Sequence, residues 1–234
     1  MPESVKAFLN HESFMDVPEI QNEILNDYLA DMAKYATNTE AGKIRACYHS
    51  IPAQLAKDNK KFQYKVIQKG GSATLFGTSI DWLESASIVL KCHRLNQPIE
   101  PINAYIDLSA FKLYMSDVGL LTMKSGISKQ TILSGEGNIF VGALCENYVA
   151  QHLAAKGYPL YYWESKNQAE IDFILQSENK IIPIEVKKSE HVRSRSLSVF
   201  RNSYQPKTSI RLSLRNFGEK DGLLSIPYYA VFCL

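Results

Sequence analysis

Apolar residues along the chain follow a helical period first and a strand period later, and the changeovers divide it. Between Pro18 and Ala36, the residues Ile20, Ile24, Leu25, Tyr28, Leu29, Met32 and Tyr35 recur at helical spacing with acids between them. That spacing predicts an amphipathic helix. Asp16, with Glu19 three residues on, marks its start, and Thr37-Asn38-Thr39 breaks it. From Lys43 to Leu95 the pattern predicts short helices over Ile44–Leu55, interrupted near Pro52, over Tyr64–Lys69, ended by Gly70-Gly71, and over Ser79–Val89. Ile88–Leu95 and Ala104–Met115 read as extended, with Asn96-Gln97-Pro98 as a turn or wing between them. Three short helices followed by a hairpin is the order of a winged helix-turn-helix.

The last third changes character. Over Asn138–Ala155 a stripe of Val141, Leu144, Cys145, Tyr148, Val149, His152 and Leu153 predicts an amphipathic helix that Gly157 ends. Extended runs follow over Leu160–Trp163, Ala169–Leu175 and Lys180–Lys187, joined by tight polar connections. Val192–Tyr204 returns to helix, with Leu197 and Phe200 inward. Ser209–Leu214 alternates as a strand, and Tyr228–Leu234 reads as another. The expected class is therefore α+β and multidomain.

Composition narrows this. The chain has 234 residues, 45% hydrophobic and 21% charged, which is globular rather than disordered. Four Cys (47, 92, 145 and 233) share no CxxC spacing, and the five His share no metal-ligand spacing. Trp82 and Trp163 are expected as core anchors. No apolar run is long enough to cross a bilayer, and no secretory leader precedes the first helix, so a cytoplasmic location is expected. The net charge of +2 is unevenly spread: −6 over residues 1–40, and +4 over each of 41–120 and 121–234. Lys43–Lys69 holds seven bases against Asp58, and Lys187–Arg215 eight against Glu190. Such windows are either solvated surface or the footprint of a polyanion. On the second reading Lys57, Lys60, Lys61, Lys65, Lys69, Arg193 and Arg195 contact nucleic acid, DNA by expectation.

The candidate chemistry lies in Glu146 on the predicted helix, Asp172 in the second strand, and Glu185-Val186-Lys187 in the third. Strand side chains alternate, so Glu185 and Lys187 share a face, as do Glu170 and Asp172. Charges in apolar strands are costly to bury and need a reason. If the two strands pair, Asp172 and Glu185 converge, and a hard divalent cation such as Mg²⁺ or Mn²⁺ would suit them. A wet strand face with a surface Glu185–Lys187 ion pair is the alternative.

The order of elements with Glu146, Asp172 and Glu185-x-Lys187 resembles the PD-(D/E)xK nuclease-like fold of restriction endonucleases and Holliday-junction resolvases. The segments KLYMSDVGLL (112–121), FVGALCENYVAQHL (140–153), YYWESKNQAEIDFIL (161–175) and IIPIEVKKSEHVRSRSL (181–197) resemble the C-terminal domain of unknown function in prokaryotic AAA-type ATPases. The resemblance implies a helical lid over 1–40, a winged helix over 41–122 and a restriction-endonuclease-like domain with a central mixed sheet over 123–234. It implies a metal site of Asp172, Glu185 and Glu146, with Lys187 completing the catalytic set. The chain departs from such ATPases in having no GxxxxGK[ST] loop: Gly71–Ser79 has the wrong spacing and no Lys. No ATP site is expected here, and the chain is expected to be the C-terminal portion of a longer ATPase, with the missing core as a partner.

Three functions remain open on these grounds. One is a DNA-associated, metal-dependent nuclease-like module. The second is a non-catalytic regulatory or interaction module of the ATPase. The third is a winged-helix regulator resting on the 43–69 window alone.

Overall fold

A computed structural model describes the chain at all positions except 12–13, 15, 35, 135–137, 167–168 and 189–194. It is a mixed α+β protein of two compact units, residues 1–89 with 115–138, and residues 90–114 with 139–234.

The first unit is helical. Its elements are α1 (Pro2–His11), α2 (Val17–Lys34), α3 (Asn38–Leu55), α4 (Tyr64–Ile67), α5 (Ala73–Ser85), α6 (Val118–Ser125) and α7 (Lys129–Leu133). The break at Thr37 is also the start of α3. The Thr37 hydroxyl accepts the Glu40 N–H at 3.4 Å, and the Glu40 carboxylate accepts the Thr37 N–H at 3.1 Å. This reciprocal pair satisfies donors that a helix start leaves unpaired. Pro52, expected to interrupt α3, lies inside it. Proline removes one donor, but Ile51 and Leu55 on either side are fully buried and Ala56 N–H still reaches the Pro52 carbonyl. Packing carries the helix through. The third helix begins at Ala73 rather than Ser79, because Phe76, Ile80 and Leu83 form its buried stripe. Gly71 ends α4 for a steric reason: a Cβ there would stand 2.3 Å from the Tyr64 carbonyl oxygen. The α1, α6 and α7 helices were not anticipated.

The second unit holds β1 (Val89–Leu95), β2 (Ile106–Met115), α8 (Phe140–Ala155), β3 (Tyr161–Glu164), β4 (Glu170–Ile171), β5 (Phe173–Ser177), β6 (Lys180–Val186), α9 (Arg195–Tyr204), β7 (Ser209–Ser213), β8 (Gly218–Lys220) and β9 (Leu223–Pro227). One sheet runs β2-β1-β3-β4, with β1 and β3 parallel; the other runs β5-β6-β7-β9-β8, with β6, β7 and β9 parallel. The hairpin expected as a wing thus pairs with β3, and the 41–122 segment is shared between the two units. The strand expected over 169–175 is split at Asp172, where the chain leaves one sheet for the other. Tyr228–Cys233 is a 3₁₀ turn rather than a strand. Its buried Ala230 and Val231 are adjacent, which no alternating strand face would allow. β8 and β9 carried a signal that went unused. Asp221 and Gly222 both have positive φ, +52° and +71°, the geometry that Asp-Gly favours in a two-residue hairpin turn.

The core of this unit lies between α9 and the strands. Leu197 and Phe200 of α9 pack with Tyr161, Trp163, Ile171 and Ile174. Trp163 meets Phe200 and Tyr204 edge-on at 5.2 and 5.6 Å. The inward direction of Leu197 and Phe200 and the anchoring role of Trp163 agree with the sequence. Among the described residues no helix is long and apolar enough to cross a membrane.

Candidate functional site

Besides the Arg94 ion pairs to Asp107 and Glu164, the second unit holds buried charge around Lys112 and around Glu185, and the first group is built on a residue that sequence reasoning passed over. β2 is an edge strand whose second half, Ala110–Met115, is wholly buried. Within that apolar run Lys112 is 0% exposed. Its ammonium contacts the Glu170 carboxylate on β4 and lies 3.8 Å from Oε2 of Glu146 on α8. It also sits 4.9 Å above the Tyr162 ring of β3, a cation–π contact. Tyr114, two residues on and so on the same strand face, donates its hydroxyl to Glu146 Oε2 at 3.2 Å. Glu146 is therefore buried but held by two partners on β2.

Asp172 adjoins this group. Its Oδ2 accepts the Val186 backbone N–H at 2.8 Å, which ties the end of β6 to the bend between β4 and β5. Burial, together with the Glu146 and Glu170 carboxylates, pushes its carboxyl up to about 7, against the opposing pull of Lys112 and the Val186 N–H. Lys112 moves up as well. Burial alone would push it down, but the negative groups around it, among them Glu170, Glu146 and Asp172, outweigh that and keep it charged. A cation in a low-dielectric interior needs such compensation.

Glu185 forms the second cluster. It is 1% exposed in the middle of the five-stranded sheet. Lys187, two residues on and just past the end of β6, places Nζ 3.0 Å from Oε1. Arg211, its register partner on β7, places Nε 3.7 Å from Oε2. Arg211 too was missed from sequence.

The antiparallel pairing of β5 with β6, Phe173 opposite Ile184, and the Asp172–Val186 hydrogen bond set Asp172 beside the stretch that carries Glu185. Glu146 and Asp172 lie with Lys112, and Glu185 lies with Lys187 and Arg211. Among the described residues no three His, Cys, Asp or Glu side chains are gathered as a metal ion would need. Lys112 and Arg211 bring positive charge beside these carboxylates. The signal for Lys112 was available: it is a charge inside an apolar strand, like Asp172.

Of the expected nucleic-acid contacts, Lys57, Lys60, Lys61, Lys65 and Lys69 belong to the first unit, from the end of α3 to just past α4, with Lys65 and Lys69 exposed and the other three part-buried. The Lys57 ammonium donates to Gln63 Oε1 at 3.3 Å. Arg195 is exposed at the start of α9; Arg193 lies outside the described residues.

Sequence comparison divides the chain differently, since the first matched stretch takes in β1 and β2. Residues 141–230 match the profile of a domain of unknown function, DUF4143, and residues 1–131 that of another, DUF8612. The uncharacterized protein Rv2008c of Mycobacterium tuberculosis is 35% identical over 80 residues, which cover 33% of this chain and 18% of that protein. The uncharacterized protein Mb2031c of Mycobacterium bovis matches to the same extent. The chain thus spans less than a fifth of the length of the curated relatives it matches. No solved structure matches it significantly.

Proposed function

The chain belongs to the DUF8612 family, and from that premise we propose that it is the C-terminal, non-catalytic interaction portion of a prokaryotic AAA-type ATPase. On this reading α3–α5 provide a helix-turn-helix surface for duplex DNA. The second unit is a PD-(D/E)xK nuclease-like scaffold that binds or transmits rather than cuts. The observation that carries the reading is the placement of Lys112 against Glu146 and Glu170. An internal ammonium supplies the positive charge that a nuclease would take from a metal, and Arg211 does the same for Glu185. The exposed lysines at α4 support the DNA contact, since phosphate neutralisation by lysine underlies sequence-independent binding.

The test pairs binding with cleavage. Fluorescence anisotropy with duplex DNA should give an affinity that falls with salt. K65E/K69E should weaken it and flatten the salt slope by roughly one to two units, near 0.9 per lost phosphate contact. Plasmid and branched DNA should stay intact in Mg²⁺ or Mn²⁺. Nicking by the parent that E185A and K187A both abolish would overturn the reading in favour of a nuclease. Binding that ignores salt and the lysine changes would remove the DNA surface.

A further inference from the structure

The helical unit holds two basic side chains in contact, with no acid between them. Lys124, in the last turn of α6, sets Nζ 2.6 Å from Nδ1 of His49 on α3. The same ammonium lies 4.7 Å from the ring centre of Tyr48, one residue earlier on α3. Two nitrogens at that distance share one proton, so His49 accepts at Nδ1 and carries its own hydrogen on Nε2. Burial, then the Lys124 and Arg45 charges, push the imidazole down and keep it neutral. Around Lys124, α3 presents Tyr48, His49 and Arg45, and Tyr28 of α2 stands near Tyr48. α6 carries no acid of its own, and Asp117 at its start is paired with the Met1 amine at 2.6 Å. Among the described residues no carboxylate pairs with Lys124. Burial without such a partner pulls its ammonium down to about 8. The pair still reaches solvent, since His49 is exposed and Lys124 half-buried.

We propose that Lys124 is a modification site, a reactive amine that takes an acyl group from acyl phosphates with His49 as its base. The geometry that carries this is an imidazole nitrogen set against a half-buried amine that no carboxylate holds in its charged form. At pH 7.5 about a quarter of such an amine is free, against about a thousandth of an unperturbed lysine. The free amine directs one hydrogen at Nδ1 and keeps its lone pair for an incoming carbonyl. Nζ attacks the acyl carbon and a C–N bond forms. The C–O bond to the phosphate breaks, and its electron pair leaves on the phosphate oxygen. The proton that Nζ sheds passes to His49 Nδ1. Arg45, one turn before His49 on α3, adds positive charge that suits an anionic donor over a neutral one. Acylation removes the charge over Tyr48, and with it the ammonium contact that α6 makes with α3.

Acetyl phosphate treatment of the full 234-residue chain, with each lysine followed by peptide mass spectrometry, tests this. The exposed Lys65 and Lys69 of the same unit serve as internal references. At pH 7.5 Lys124 should be acetylated on the order of tenfold faster than either. Its rate should rise with pH and level off above about 8. H49Q keeps an oxygen to accept the Lys124 hydrogen but removes the base. It should slow Lys124 on the order of tenfold and leave Lys65 and Lys69 unchanged. Circular dichroism melts show whether H49Q is folded, and the ordering of sites and the pH profile in the parent need no variant. Acetylation of Lys124 no faster than of Lys65 and Lys69, a rate that still climbs past pH 10, or a folded H49Q that labels Lys124 at the parent's rate each overturns the proposal.

Discussion

Replacing Lys112 with methionine, a side chain of similar length without the charge, isolates the role of the buried cation. In the parent, its ammonium touches Glu170, stands 3.8 Å from Glu146 and lies over Tyr162. Removing it leaves Glu146, 5% exposed, with the Tyr114 hydroxyl as its remaining contact from β2. Breaking a buried pair by deleting one partner costs about 3–5 kcal/mol, because the other charge stays buried. Taking about 3 kcal/mol, and about 2–4 °C per kcal/mol for a chain of this size, the second unit should melt roughly 6–12 °C lower at pH 8. The loss should shrink at pH 5, below the raised value of Asp172, where less negative charge surrounds position 112. Mn²⁺ should partly restore the melting temperature of K112M and leave the parent unchanged, since only the variant lacks an internal cation. Calorimetry at both pH values, with and without Mn²⁺, measures all of this. A shift under about 2 °C at pH 8, or equal Mn²⁺ stabilisation of parent and variant, would refute the claim that Lys112 occupies the cation's place.

Asp172→Asn keeps an oxygen for the Val186 N–H but removes the ionisation. The folded carboxyl is raised to about 7 from an ordinary 3.8. Between those values the folded state holds a proton that the unfolded state has released, so the parent should lose stability as pH rises through that window. D172N should flatten that slope and be more stable than the parent at pH 8 by on the order of 1–3 kcal/mol, read from urea midpoints; an unchanged slope would place the ionisation elsewhere. The two partners of Glu185 should separate by burial. R211M, at a side chain 14% exposed, should cost about 2–4 kcal/mol, and K187M, 35% exposed, less than about 1. Equal losses in urea unfolding would contradict that ordering.

Much of the fold was legible because it rests on local signals. The α2 stripe, the α8 helix, the inward Leu197 and Phe200 of α9 and the alternation of β7 all follow from the period of apolar positions. The errors were of two kinds. Some were local signals left unused, such as Asp221-Gly222 at the β8–β9 turn and the Thr37–Glu40 capping pair. Others were places where packing overrode a local rule, as at Pro52, or where a continuous apolar run concealed a change of sheet, as at Asp172.

The residue types of the site were visible in the chain: charges at positions 112, 172, 185 and 187 interrupt apolar strands, and burial there demands a partner. The identity of each partner was not visible. It depends on β1 pairing in parallel with β3, on β2 lying beside β1, and on β6 lying beside β7. Those pairings join residues tens of positions apart, and no side-chain period encodes them. Strand order is set by which apolar faces α8, α9 and the sheets can bury together. By itself the sequence determined that buried charge would have to be neutralised. Only the tertiary structure decided that Lys112 and Arg211 would do it from within.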